Sequence, residues 1–160
     1  MPTHRRKIFS TQMIQFAKEA NVPLRYMYDW CTDYRPDDGR FSSARPRYKI
    51  LRVGPNCVVR IRHGEPRGEP ARTAIELVKF RPPRAWHMDQ IDESDLSSAD
   101  YLLTRLGPQR TRIDLAAVER WTTREHPSRS EYLGVVNRYW DGLVKALESD
   151  FANGLPAKGP

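Results

Sequence analysis

Glu119 stands where a carboxylate is costly. The residues Ile113, Leu115, Ala117, Glu119 and Trp121 share one parity of a strand-like run, and Arg112, Asp114 and Arg120 take the other. A period of two therefore sets the Glu119 side chain in an apolar row facing the interior. A carboxyl group taken out of water keeps its proton to higher pH and can serve as a general acid or base, whereas an arginine partner would make it structural. By the same parity Thr73, Lys79, Gln90, Tyr101 and Arg105 join Glu119 on the covered face. A few convergent polar groups in an apolar lining describe a small-molecule pocket. Lys79 and Arg105 also admit a plainer reading, as strand-end residues whose stems carry their charges out to water. Glu119, Tyr101 and Arg105 are the candidate catalytic residues.

Other chemistries find less support. His4, His63, His87 and His126 lie far apart in the chain and offer no ligand spacing, so no metal site is expected. No G-x-S-x-G, phosphate-binding glycine loop or H-E-x-x-H occurs, and a role without cofactor is the default. Cys31 and Cys57 form neither a disulfide framework nor a zinc set.

The elements that position these residues read as follows. Gln12 to Ala20 is a strand with Ile14 and Phe16 on one face. Pro23 then opens a short helix carrying Leu24, Met27, Tyr28 and Cys31, and the Arg35 to Gly39 stretch ends it with room for one more short turn. Tyr48 to Val53 and Cys57 to Arg62 form a hairpin, with Cys57, Val59 and Ile61 covered and Arg60 and Arg62 in water. Thr73 to Phe80, Ala85 to Ile91, Ala99 to Leu106 and Thr111 to Trp121 follow as strands, with Asp92 to Ser98 as a loop. Their covered residues are Ile75, Leu77, Trp86, Met88, Gln90, Tyr101, Leu103, Leu115, Ala117 and Glu119.

A long amphipathic helix closes the chain. Tyr132, Val135, Val136, Tyr139, Trp140, Leu143, Val144, Leu147 and Phe151 recur in steps of three and four. Ser128 and Glu131 have the spacing of a capping box, and Asn153-Gly154 with Pro156 marks the stop. Its wide apolar face calls for a sheet as partner. Tyr132, Val136, Tyr139, Trp140 and Leu143 would roof a cavity between the two, although aromatics at this spacing serve equally as core.

At 160 residues the chain has the length of one domain, taken here as 1–160 with residues 1–10 a frayed basic start and 155–160 a tail. Lys and Arg number 27 against 20 Asp and Glu, so the chain is net basic with both signs interspersed. Arg40, Arg45 and Arg47 cluster with other basic residues, but Asp37 and Asp38 lie among them and no nucleic-acid-binding motif accompanies them. They suit a weak contact with an anionic surface rather than specific nucleic-acid recognition. No apolar run is long enough to span a bilayer and no signal peptide is evident, so a cytoplasmic protein is expected.

The order of elements, with Ala20-Asn21-Val22-Pro23 leading into Tyr26-Met27-Tyr28-Asp29-Trp30-Cys31-Thr32-Asp33, resembles the START-like, helix-grip (SRPBCC) superfamily, and its polyketide cyclase/dehydratase-like branch most. Ala20, Pro23, Asp33, Gly107 and Thr111-Arg112-Ile113 carry the resemblance, and the terminal helix takes the place of the gripping helix. It implies an α+β fold: a curved antiparallel sheet of about seven strands, two short helices after the first strand, and a long C-terminal helix across the concave face. It also implies binding or carriage of a hydrophobic or amphipathic molecule of lipid, polyketide, quinone or aromatic type. The alternative is a cofactor-independent cyclase/dehydratase, and a third reading is a co-chaperone-like interaction module.

Overall fold

The computed structural model describes residues 7–41, 46–64, 72–157 and 159. The chain runs β1 (Ser10–Ala20), α1 (Leu24–Thr32), a short 3-10 helix (Asp38–Phe41), β2 (Arg47–Gly54), β3 (Cys57–Gly64), β4 (Arg72–Arg81), β5 (Ala85–Ile91), β6 (Asp95–Gly107), β7 (Arg110–Trp121) and α2 (Arg129–Ala152). The strands form one antiparallel sheet in the order β1-β7-β6-β5-β4-β3-β2. It is open and curved, and the long C-terminal helix completes a helix-grip α+β architecture.

Pro23 is the N-cap of α1, as its fixed φ suits the helix entry. The capping box of α2 is complete: Ser128 Oγ accepts from the Glu131 amide and Glu131 Oε2 accepts from the Ser128 amide at 2.8 Å. Asn153 caps its end, and Gly154 takes the left-handed backbone there. Trp140 and Leu147 are the buried anchors of α2, while Val135 and Tyr139 are 54% and 41% exposed. The helix rests most heavily on β1. The tail is docked rather than loose, since Tyr26 Oη donates to the Leu155 carbonyl and the Gly159 amide to the Asp29 carbonyl. Residues 1–6 of the basic start lie outside the described residues.

The concave face carries Ile14 of β1, Ile113, Leu115 and Ala117 of β7, Ala99, Tyr101 and Leu103 of β6, and Trp86 of β5, all buried. On β3 and β4 the faces are reversed from the sequence expectation. Ala74, Glu76, Val78 and Phe80 point inward, while Ile75 is 50% exposed and Leu77 and Lys79 share its outer side. On β3, Val58 and Arg60 face inward and Cys57, Val59 and Ile61 face outward, in register with the β4 residues. The inward parity holds Val58, Ala74, Val78 and Phe80 in the core, and an ion pair accommodates its two charged members. Arg60 and Glu76 sit directly opposite one another, and each makes the other's burial tolerable. Strand β6 also begins earlier than expected, at Asp95. Asp92 holds that turn by accepting from the amides of Ser94 and Asp95.

Candidate functional site

Arg60 is fixed from three directions. Its Nε donates to Glu76, its Nη1 lies 3.3 Å from Asp38 Oδ2, and its guanidinium stacks 4.8 Å from the Tyr34 ring centre and 4.0 Å from that of Tyr48. The 3-10 helix delivers Asp38, and its next residue, Gly39, packs so tightly on Pro46 that a Cβ would stand 1.8 Å from the Pro46 carbonyl oxygen. Only glycine fits that contact. Its hydrogen bonds to Glu76 and Asp38 use Nε and Nη1, and Arg60 also lines the space beside it.

That space is a cavity of about 130 Å³ between the sheet, α1, the 3-10 helix and the middle of α2. Its walls are aromatic: Trp30, Tyr34 and Phe41 come from the helical segment after β1, Trp86 and Tyr101 from the sheet, and Tyr139 and Trp140 from α2. Trp86 and Tyr101 stack with centres 4.8 Å apart and planes 6° from parallel, continuing through Tyr101 to Trp140 at 5.9 Å. Met88, Leu143 and Cys31 complete the apolar lining, and Asp33, Arg35, Asp38 and Arg60 supply its charges. Burial pushes the Asp33 carboxyl up to about 6 against the opposing pull of Arg35, whose Nε lies 2.6 Å away.

The structure sorts the expected site residues into three groups. Trp86, Met88, Tyr101, Tyr139, Trp140 and Leu143 line the cavity. Gln90, Leu103, Leu115, Ala117, Glu119, Tyr132 and Val136 lie outside its lining, and Leu103, Leu115, Ala117 and Glu119 are packed in the interior. Ile75 and Leu77 face away from it, and Arg105 is exposed at the end of β6, where it reaches the Gly107 carbonyl. Of the basic cluster, Arg40 pairs with Asp37 and stacks on Phe41, Arg47 is exposed on β2, and Arg45 is outside the described residues. Sequence reasoning missed Arg60 and the wall made by Trp30, Tyr34 and Phe41. The available signal was an arginine and a glutamate on adjacent strands, each flanked by aliphatic residues.

Glu119 forms a separate polar nest. It is 5% exposed, its Oε1 accepts from Tyr132 Oη at 3.0 Å, and its cross-strand neighbours are Gln12 and Ser97. Burial pushes its carboxyl up to about 7, with the Tyr132 hydrogen bond pulling the other way. Glu119 and Arg60 occupy the same cross-strand row, through Ser97, Gln90 and Glu76, at opposite sides of the sheet.

Comparison of this architecture with solved structures is decisive for the fold. The Zhui aromatase/cyclase from Streptomyces sp. R1128 superposes with a TM-score of 0.65 at 15% identity, over 88% of this chain and 93% of that one. This is a START-like helix-grip fold. A START superfamily protein from Mycobacterium smegmatis gives 0.63 at 14% identity, over 86% and 94%, and Ara h 8.0201 gives 0.64 at 12% identity, over 88% and 97%. No protein-family model and no curated protein sequence matches the chain. At such identities the likeness concerns the START-like backbone, and the residues of the cavity must speak for themselves. No helix among the described residues is long and apolar enough to cross a membrane.

Proposed function

We propose that this START-like domain binds a flat, hydrophobic small molecule in the aromatic cavity, with Arg60 as the polar anchor for an oxygen atom of that ligand. The buried Arg60–Glu76 pair facing an aromatic-walled space carries this reading. Glu76 and Asp38 already compensate the Arg60 charge, so its remaining N–H groups suit a carbonyl or phenolic oxygen better than a free carboxylate, which would meet Asp33 and Asp38 at the same wall. Stacked Trp86 and Tyr101 give the flat part of such a ligand a parallel surface. The proteins with this fold include aromatase/cyclases, which fits an aromatic or polyketide-like ligand class.

Binding leads over catalysis because Glu119 lies outside the cavity lining, and Asp33, the raised carboxyl within it, is tied to Arg35 at 2.6 Å. Tyr101 is the one expected catalytic residue that lines it, and burial pushes its hydroxyl above the ordinary tyrosine range, which makes it a donor rather than a base. Two free cysteines fit a reducing compartment, and we place the protein in the cytoplasm on that ground.

Native mass spectrometry of the purified protein, with extraction of any adduct, tests the proposal. The expected result is a one-to-one complex with an aromatic or polyketide-like molecule, or uptake of a neutral aromatic probe by the empty protein. A chain that carries nothing and takes up no such probe would overturn it.

A further inference from the structure

The outer face of the sheet carries two apolar rows between β2 and β6, and they have no cover among the described residues. Leu51, Val59 and Leu77 lie side by side across three strands, and Ile61, Ile75, Ile91 and Leu96 across four. Leu51, Ile75 and Ile91 are 43%, 50% and 52% exposed. An apolar stretch of adjacent side chains on that scale marks a surface that meets something other than water.

The charges around it say what. Exposed Arg47 and Lys49 stand at one end of the patch, and exposed Lys79 and Arg81 at the other. The acids of this face from β5 to β7 are Asp89, Asp100 and Asp114: the first two engage His87, Asp89 also accepts from Ser98, and Asp114 pairs with Arg112. A second copy of the chain is a poor occupant, because face-to-face packing would set two basic rims against each other. The sheet is curved around α2, so this outer side is convex, with basic residues flanking its apolar rows. A bilayer with anionic headgroups matches that relief, with hydrocarbon at the centre and phosphate at the margin.

We propose that the convex face of β2 to β5 is a docking surface for an anionic lipid bilayer, with Leu51, Ile75 and Ile91 entering the interface and Arg47, Lys49, Lys79 and Arg81 meeting the headgroups. The inference is independent of the cavity and of what the cavity holds.

Cosedimentation of the full chain with vesicles of phosphatidylcholine alone, or with phosphatidylglycerol added, tests it. Binding is expected only with the anionic lipid and falls as salt rises, since charges at a surface are screened over a Debye length of about 10 Å at 0.1 M. Ile75→Glu with Ile91→Glu should abolish it, and Lys79→Glu with Arg81→Glu should weaken it by roughly tenfold or more. Both pairs change exposed side chains, so both variants should retain the aromatic probe uptake of the parent, with the melting temperature lowered only in Ile75→Glu with Ile91→Glu, where two carboxylates face each other across β4 and β5. Equal binding to neutral vesicles, no binding to anionic ones, or binding unaffected by both variants would overturn the proposal. So would a dimer in solution that Ile75→Glu dissociates.

Discussion

Arg60 and Glu76 face each other across β3 and β4 and pair inside the concave face, with side chains only 12% and 2% exposed. It sits on the inward parity of β3 and β4 beside Val58, Ala74, Val78 and Phe80, and its guanidinium stacks against Tyr34 and Tyr48.

Removing one member of the pair strands the other in a dry site. Glu76→Ala is expected to destabilise the protein by ~3–5 kcal/mol in urea unfolding, and Arg60→Met with Glu76→Leu by clearly less, because the double change removes both charges. Equal costs for the single and the double variant would show that packing, not charge, dominates there.

The stability of the protein should depend on pH through Glu119. Its carboxyl is raised from an ordinary 4.5 to about 7, so between these values the native state binds more protons than the unfolded chain. Stability therefore falls as pH rises through that window, by on the order of 2 kcal/mol. Asp33, raised to about 6, acts in the same direction. Glu119→Gln cannot ionise, so thermal melts at pH 5 and pH 8 should show it gaining on the parent at the higher pH. A parent protein more stable at pH 8 than at pH 5, with Glu119→Gln unchanged, would refute the assignment.

Two positions on α2 should respond very differently to truncation. Leu147 is 1% exposed and Val135 is 54% exposed. Leu147→Ala should cost ~2–5 kcal/mol and Val135→Ala within about 0.5 kcal/mol, both read from urea unfolding. Similar costs at the two sites would mean that α2 is rotated relative to the sheet.

Ala117 distinguishes the interior row from the cavity. It pairs with Ile14 and Ala99, is 8% exposed and lies outside the cavity lining. Ala117→Phe should cost ~1–3 kcal/mol through overpacking and leave the affinity for an aromatic probe as it was. Met88→Trp, which narrows the cavity itself, should reduce uptake. Loss of uptake in Ala117→Phe at no cost in stability would place the binding space further along the sheet.

The parts of the fold legible in the sequence are those where one face alone is apolar. In β1 and β7 the alternation of Ile14 with Gln15, or Ile113 with Arg112, fixes the buried side, and the Ser128 and Glu131 spacing fixes the start of α2. In β4 both parities carry aliphatic residues, and Glu76 makes the inner one look wet. Its partner lies sixteen residues away on another strand, a relation that no local period encodes. The start of β6 was hidden because Asp95 and Ser97 are polar yet buried. The wall of Trp30 and Tyr34 escaped the reading because the helical spacing there rested on Leu24, Met27, Tyr28 and Cys31, and no local period points Trp30 or Tyr34 at a cavity.

The measurement that bears most directly on the proposed function is tryptophan quenching on titration with 1-naphthol and with naphthalene, since Trp30, Trp86 and Trp140 all line the cavity. The parent protein should bind both and favour the naphthol, while Arg60→Met with Glu76→Leu should keep the hydrocarbon and lose that preference, a hydrogen bond to a charged donor being worth ~1.5–3 kcal/mol. No quenching by either compound, or a preference for the naphthol that survives loss of Arg60, would contradict the account.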